Sequence, residues 1–415
     1  MTLAFLTCCV LLQAQALTPE VIEHAQAGAA AQKDGKLDVA IQEFRKVTEL
    51  QPDSASGHSN LGEAYFQSGD YSAAIPELER ALQLNPNLMG THQTLGVVLL
   101  VQGDAEGALP HLEKTRTPEL LGRAYLETGR LGSAIMALEA ALDRQPKDPD
   151  VLYYFGHATD LAAKRTAGQL AKLDPATAPK SGAAADSASR PQDVASLQQA
   201  LARQPNDTGL LLAFSRAAAL ASSQAFDQIL QSSADSARAH QVLAERDVES
   251  GRLPEAEQEY AAAVRLRPYT AGVHMALGAV YASEGKLPAA EAQYAMESQL
   301  RPASADAVYR LGSTLLQEGS AGAATKAFAQ ADHLQPDTPQ ILLALGKAAF
   351  AANDAARAEA AWTKLLGIDK SGDLAAEAHL GLSTLYRRAG KPQDADREAA
   401  EYQRMKGREG RQDVR

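Results

Sequence analysis

The chain has almost no cysteine and few aromatic residues. Among its 415 residues the only cysteines are Cys8 and Cys9, which cannot build a disulfide framework. Aromatic residues make up 5%, which is little for a protein that encloses a large core. This composition favours helices that approach one another closely.

Basic charge is also in deficit. The chain has 40 Lys and Arg residues against 51 Asp and Glu residues, which gives a formal net charge of −11. A nucleic-acid surface requires a basic patch, so this balance argues against nucleic acid as a partner. Acidity of this size favours the solubility of a long, exposed scaffold.

The sequence lacks an apolar run of the roughly 20 residues that span a bilayer. Leu3–Leu12 is apolar and about half that length, and Ala14-Gln15-Ala16 follows it. Such a segment with a small-x-small ending predicts a signal peptide at residues 1–16, and hence a periplasmic or secreted protein. Because no basic residue precedes the apolar segment, a cytoplasmic protein stays open. Acylation of one of the two cysteines would instead give a membrane-anchored lipoprotein.

A repeated sequence pattern occupies most of the chain. Ala55–Pro86 contains two short amphipathic helical patterns, a Gly-Asp turn between them and a final proline. The pattern recurs with a 34-residue step at Ala237–Pro268, Ala271–Pro302 and Ala305–Pro336. Its period and composition resemble the tetratricopeptide repeat family, whose unit is a helix–turn–helix of about 34 residues. The resemblance implies an all-α fold, a right-handed α-solenoid of such repeats, and no cofactor.

Small residues recur in phase when Ala55 is taken as position 1 of a unit. Position 8 is most often glycine, at Gly28, Gly62, Gly96, Gly122, Gly156, Gly278, Gly312 and Gly346. Position 20 is alanine at Ala40, Ala74, Ala108, Ala134, Ala256, Ala290, Ala324, Ala358 and Ala395. These positions predict close contact between the paired helices. Position 15 is usually glycine, which predicts a left-handed residue that ends the first helix.

The regularity fails in the middle of the chain. The patterns that begin at Pro149 and Thr208 lack the glycine turn and are shorter than the others, which predicts a kinked or remodelled helix pair in each. Ala176–Pro191 is rich in Ala, Ser and Pro, which predicts a flexible insert. The expected order is therefore a signal peptide at 1–16, an N-terminal array at 18–148, an irregular region at 149–236 with an insert at 176–191, a C-terminal array at 237–406 with a polar capping helix, and a disordered tail at 407–415.

No catalytic or metal-binding pattern accompanies the repeat. The sequence contains no P-loop, no Gly-x-Ser-x-Gly elbow and no His-Glu-x-x-His motif. Histidine recurs at position 4 of its units, as at His58, His92, His240, His274 and His379. Equivalent residues of neighbouring repeats lie about 10 Å apart, which is too far for one metal ion. The recurrence of histidine therefore predicts a role in helix packing and no metal site. The absence of the catalytic motifs predicts that the protein is not an enzyme.

In the family that the chain resembles, first-helix positions 2, 5, 9, 12 and 13 line a concave groove. The resemblance makes these positions candidate partner-binding residues: Ser59, Glu63, Phe66, Gln67, Gln93, Val97, Val101, Gln241, Glu245, Met275, Tyr309, Leu343, Lys347 and Phe350. Such a groove suits an extended peptide or an amphipathic helix. The sequence thus predicts a non-enzymatic scaffold for a protein partner. An assembly factor for envelope machinery, such as a pilus, secretion or polysaccharide export system, is an alternative, as is a polymer- or ligand-binding protein.

Overall fold

A computed structural model describes residues 18–176 and 194–412, which contain twenty-one α-helices and no strand. The first six helices are α1 Pro19–Lys33, α2 Leu37–Leu50, α3 Ala55–Ser68, α4 Tyr71–Leu84, α5 Met89–Gln102 and α6 Ala105–Thr115. The next six are α7 Pro118–Glu127, α8 Leu131–Leu142, α9 Pro149–Leu173, α10 Val194–Arg203, α11 Thr208–Ser232 and α12 Ala237–Glu249. The last nine are α13 Leu253–Leu266, α14 Val273–Ser283, α15 Leu287–Leu300, α16 Ala305–Gln317, α17 Ala321–Leu334, α18 Pro339–Ala351, α19 Ala355–Ile368, α20 Asp373–Arg388 and α21 Pro392–Gln412.

The repeat that begins at Ala55 shows how local sequence sets each helix boundary. The Ser54 hydroxyl accepts a hydrogen bond from the Gly57 backbone N–H at 3.1 Å and caps α3. Gly69 ends this helix with φ of +82°, in the left-handed region that the sequence predicts for position 15. The Asp70 carboxylate then caps α4 by accepting from the Ala73 N–H at 3.0 Å. Serine, glycine and aspartate thus fix one helix–turn–helix.

The small residues at positions 8 and 20 lie where the paired helices meet, as the sequence predicts. Every position-20 alanine is fully buried: Ala40, Ala74, Ala108, Ala134, Ala256, Ala290, Ala324, Ala358 and Ala395. A Cβ atom added to Gly346 would lie 2.2 Å from the indole Nε1 of Trp362. A large side chain of the second helix therefore fills the space that glycine leaves on the first.

The helices are grouped in two compact units. One unit contains α1 to α4 together with residues 89–99 and 107–116. The other contains residues 100–106 together with α7 to α21. Because each repeat packs mainly on its neighbours, both units are stacks of helix pairs rather than domains built around one central core.

The two irregular patterns form something other than the kinked or remodelled pairs that the sequence predicts. Each is one continuous helix of 25 residues, α9 and α11. A Cβ atom on Gly156, near the start of α9, would lie 2.6 Å from the Phe226 ring, near the end of α11. The Ser215 hydroxyl of α11 donates to the carbonyl oxygen of Ala163 on α9 at 3.1 Å. The helices therefore run antiparallel and make one oversized unit.

The physical reason lies at position 15 of the two patterns. Ala163 and Ser222 occupy it, and neither is a left-handed stop of the kind that Gly69 provides. Once a helix has formed, each further residue adds a hydrogen bond, so a helix without a stop signal continues. Each chain segment therefore extends to 25 residues, and the partner helix comes from the other segment.

Helix α10 packs on α11 and on α8. A carboxylate of α8 contacts the first turn of α10. Glu139 of α8 accepts a hydrogen bond from the backbone N–H of Ala195. Burial raises the pKa of Glu139 to about 7, the nearby Asp143 carboxylate adds to this shift, and the Ala195 N–H opposes it. Glu139 is thus a titrating contact between α8 and α10.

We expect Glu139 to make stability fall as pH rises from about 4.5 to about 7, because the folded state holds its proton to higher pH than the unfolded state. In the Glu139→Gln variant this part of the pH dependence should disappear. Thermal midpoints at pH 5 and pH 8 measure it, with exposed Glu255→Gln on α13 as the control. An unchanged difference between the two midpoints in Glu139→Gln would contradict the assignment.

The C-terminus differs from the expected disordered tail, because α21 continues to Gln412. The predicted signal peptide at 1–16, the insert at residues 177–191 and the last three residues lie outside the described residues. Within the described ranges, no helix has the length and apolar character needed to cross a membrane.

Candidate partner-binding groove

The fourteen candidate groove residues differ widely in exposure. Gln67, Gln93 and Lys347 are exposed, and Gln241 and Leu343 are buried. The other nine are half-buried: Ser59, Glu63, Phe66, Val97, Val101, Glu245, Met275, Tyr309 and Phe350. The repeat register therefore identifies a face of the first helices, but the availability of each side chain depends on its surroundings.

In the first unit, several polar candidates already have partners. The hydroxyls of Ser59 on α3 and Thr91 on α5 lie 2.8 Å apart. The Gln67 amide donates to the Glu63 carboxylate at 3.4 Å, and the ring of Phe66 lies 6.0 Å from that of Tyr71. Ser59, Glu63 and Gln67 are therefore already paired within the chain.

Gln241 and Glu245 on α12 are part of an internal hydrogen-bond network, contrary to the expectation of a free groove. The Gln241 amide donates to the hydroxyl oxygen of Tyr153 on α9. That hydroxyl donates to Glu245 at 2.7 Å, and Nε2 of His157 lies 3.1 Å from the other carboxylate oxygen. Burial raises the pKa of Tyr153 well above its ordinary value, and the Glu245 carboxylate raises it further. These residues stabilise the contact between α9 and α12.

The network follows the repeat register. Asp150 contacts Arg238, Tyr153 contacts Gln241 and His157 contacts Glu245, and the members of each pair are 88 residues apart. The three pairs occupy positions 2, 5 and 9 of the two patterns. Helices α9 and α12 therefore lie side by side as the first helices of successive units, and the residues between them belong to the oversized unit.

Arg238 is the centre of this contact. Its side chain is 7% exposed and donates to Asp150 at 2.6 Å, to Gln241 at 2.7 Å and to the Tyr154 hydroxyl at 3.0 Å. Its guanidinium carbon lies 4.3 Å from the centroid of the Tyr153 ring. Burial opposes ionisation of Asp150, but the guanidinium groups of Arg238 and Arg267 outweigh it, so the pKa of Asp150 is lowered. The buried arginine is thus fully paired.

Two of the clefts in the second unit that contain candidate groove residues differ in size. The larger, of about 470 Å³, is lined by residues of α7, α9, α12 and the turn after α13, and includes Val101. The other, of about 350 Å³, is lined by Tyr309, Ser313, Leu316, Gln317, Phe328, Gln340, Leu343, Ala344, Lys347 and Leu374. We call it the C-terminal cleft. It brings together three residues that the sequence selects.

The C-terminal cleft combines an apolar interior with one basic lining residue, Lys347. Leu343 is buried within it, and the Tyr309 ring lies 5.4 Å from that of Phe328. Lys347 forms an ion pair with Glu377. Three residues beyond it on α18, Phe350 lies under the guanidinium of Arg388, which is 4.1 Å from the ring centroid. Arg388 has no carboxylate partner among the described residues.

The repeated histidines have a structural role that the sequence predicts only in outline. Nδ1 of His58 lies 2.6 Å from the Glu77 carboxylate on the second helix, and its Nε2 lies 2.9 Å from the carbonyl oxygen of Pro52. His24, His240 and His379 make the equivalent carboxylate contact. Among the described residues, no three histidine, cysteine or acidic side chains are grouped so that they could hold a metal ion. The missed signal is the polar residue nineteen positions after each histidine.

Family models for the tetratricopeptide repeat match most of the chain. One model matches residues 26–88, 119–184, 242–300 and 343–410, and a second matches residues 92–114. The chain belongs to the tetratricopeptide repeat family. Arrays of these repeats typically act as non-catalytic scaffolds for protein interaction, and the present array is an all-α solenoid of this type.

Solved tetratricopeptide repeat structures resemble the chain at low identity. A MamA fragment from Desulfovibrio magneticus RS-1 is 18% identical, with a TM-score of 0.39, and the match covers 41% of this chain and 94% of that one. YrrB, described as having an unusual peptide-binding site, is 16% identical with a TM-score of 0.40 over 43% and 91%. Yeast Tom70 is 13% identical with a TM-score of 0.33 over 92% and 91%. A comparison with curated proteins gives no match. None of these likenesses bears on the partner of the present chain.

Proposed function

We propose that this tetratricopeptide repeat protein is a non-enzymatic scaffold that binds a segment of a partner protein in the C-terminal cleft. The observation that carries the proposal is the grouping of Tyr309, Leu343 and Lys347 around one cleft. Leu343 and Tyr309 provide an apolar surface that is large enough for a bulky side chain. Partner segments commonly anchor themselves by such side chains, which contribute most of the binding energy.

The charges at the edge of the cleft select the flanking residues of the partner. Lys347 lines the cleft and stays half exposed in its ion pair with Glu377, and Arg388 lies nearby over Phe350, although the chain as a whole carries a net charge of −11. Local positive charge on an acidic protein favours a partner segment with a carboxylate next to its apolar anchor. The proposed ligand is therefore a peptide that contains a bulky apolar residue followed or preceded by Asp or Glu.

Selection from a random peptide library with the purified chain tests this function. We expect enriched peptides that combine an apolar anchor with an acid, and a loss of affinity of about tenfold or more in Tyr309→Asp and in Lys347→Glu. Lys326→Glu is the matched control, because Lys326 is exposed on the second helix of a unit, α17. Equal affinity in Lys347→Glu and Lys326→Glu would move the binding site away from the C-terminal cleft.

The compartment is a separate part of the proposal. The apolar run Leu3–Leu12 and the Ala14-Gln15-Ala16 ending support export, and with export the assembly of envelope machinery as the setting in which the scaffold works. Sequencing the N-terminus of the mature protein from fractionated cells tests this. An intact Met1 in the cytoplasmic fraction would contradict export and would leave the peptide-binding function unaffected.

A further inference from the structure

Two arginines occupy an unusual position in the repeat, directly before the terminal proline. Arg267 and Arg301 precede Pro268 and Pro302, whereas the equivalent residues are Gln51, Asn85, Gln145 and Gln335 in the other units that end in proline. Both arginines lie in turns that follow a second helix, α13 for Arg267 and α15 for Arg301. The substitution of arginine for an amide is confined to these two successive units.

Both arginines pair with carboxylates far back in the chain. Arg267 donates through one nitrogen to both oxygens of Asp150, each at 2.9 Å, over a separation of 117 residues. Arg301 donates to Glu127 at 2.6 Å over 174 residues. Glu127 ends α7 and Asp150 lies in the first turn of α9. The turn that carries Arg267 therefore contacts the first helix of the preceding, oversized unit. The turn that carries Arg301 contacts the first helix of a unit that is separated from its own by two others.

Each carboxylate is held between two guanidinium groups. Glu127 accepts from Arg123 at 2.8 Å through one oxygen and from Arg301 through the other. Asp150 accepts from Arg238 and from Arg267. The side chains of Arg301 and Glu127 are 23% and 22% exposed. A Cβ atom on Gly103 would lie 3.2 Å from Nε of Arg301, so the turn at residues 100–106 packs against this arginine as well.

These contacts cover the face of the first helices on which a partner would bind. Positions 2, 5 and 9 of α9 and α12 are paired with each other, and the turns that carry Arg267 and Arg301 lie over α7 and α9. The cleft of about 470 Å³ between them stays accessible. The central part of the groove is thus occupied by the chain itself.

We propose that the arginine–carboxylate cluster of Glu127 with Arg123 and Arg301 is an ionic latch that holds the central groove closed, beside the fixed interface that Asp150 makes with Arg238 and Arg267. The Arg301–Glu127 pair joins repeats that are not neighbours, while the stability of each repeat comes from its neighbours. The groove can therefore open without unfolding any helix pair. The pairs at Arg267 and Arg301 retain partial exposure, so salt weakens them, and a competing acidic partner segment can take the place of Glu127.

The charge reversals Glu127→Arg and Arg301→Glu, singly and together in the full chain, test the latch. Each single variant should increase the radius of gyration in small-angle scattering and speed amide exchange several-fold in peptides that cover residues 100–106 and 299–304, with far-UV circular dichroism unchanged. The double variant restores an opposite-charge pair and should return both measurements toward the wild type. Arg310→Glu is the matched control, because Arg310 pairs with Asp306 within the exposed surface of one helix.

A salt titration of the unmodified protein provides a second measurement that requires no variant. We expect the wild type to expand between about 50 mM and 500 mM NaCl, over which the screening length falls severalfold, and the single variants to show no further expansion. The latch is wrong if the wild-type radius of gyration is independent of salt and the single variants match it. It is equally wrong if the double variant stays as expanded as the single ones. Binding to the C-terminal cleft is measured separately, so either proposal can fail alone.

Discussion

Replacing Phe214 by alanine should lower the free energy of unfolding by about 3–5 kcal/mol. Phe214 lies on α11, is 1% exposed and belongs to a core cluster to which α8, α9, α10, α11 and α12 all contribute. Its truncation leaves a cavity in this cluster, which five helices surround. Denaturant unfolding, together with amide exchange of residues 149–173 and 208–232, measures the effect and assigns it to the helix pair.

Leu161→Ala is the control for this prediction. Leu161 lies on the same helix pair but is 47% exposed, so its truncation should cost less than about 1 kcal/mol. Similar losses in the two variants would mean that α9 and α11 are not packed through Phe214. A loss confined to Phe214→Ala supports the buried position of Phe214 in this core cluster.

Replacing Trp362 by alanine should also cost about 3–5 kcal/mol, at the other end of the second unit. The side chain is 2% exposed and fills the space beside Gly346 and Gly381, where a Cβ atom would lie 2.2 Å and 2.7 Å from the indole ring. The backbones of α18 at Gly346 and of α20 at Gly381 both contact the indole ring directly. Alanine at position 362 therefore leaves a void, and neither glycine has a side chain to fill it. Thermal unfolding and amide exchange of α18 to α20 measure the loss.

The phenylalanine variant separates volume from polarity at this position. The buried indole N–H of Trp362 has no hydrogen-bond partner among the described residues. Phe44 and Phe328 occupy the same repeat position in other units. Trp362→Phe should therefore cost less than about 1.5 kcal/mol. A loss as large as that of Trp362→Ala would contradict the assignment of the stability to ring volume in a preformed space.

Sequence periodicity predicts most of the regular repeats because their determinants are local. Gly69 ends α3, Ser54 caps it and Ala74 meets the facing helix, all within one unit. The pairing of His58 with Glu77 is local as well, at a fixed spacing within the repeat. It could have been predicted from the recurrence of a polar residue nineteen positions after each histidine.

The candidate site was predictable only as a face of the first helices. Tyr309, Leu343 and Lys347 line one cleft because their units follow one another without interruption. Gln241 and Glu245 occupy equivalent positions but contact α9, because the oversized unit places α12 directly beside it. The repeat register is the same in both places, and the neighbouring helix decides which side chains stay free.

By itself, the sequence determined the family, the all-α architecture and the small residues that permit close packing, because each depends on spacings within about 34 residues. The tertiary structure alone decided that α9 pairs with α11, and that Arg267 and Arg301 pair with Asp150 and Glu127. The missing left-handed residue at position 15 indicates that α9 and α11 continue, but it does not indicate that they pack against each other. The ion pair of Arg301 with Glu127, over 174 residues, leaves no periodic trace, because it depends on the accumulated geometry of the units between them. The pair of Arg267 with Asp150 spans 117 residues because the oversized unit fills most of the chain between them.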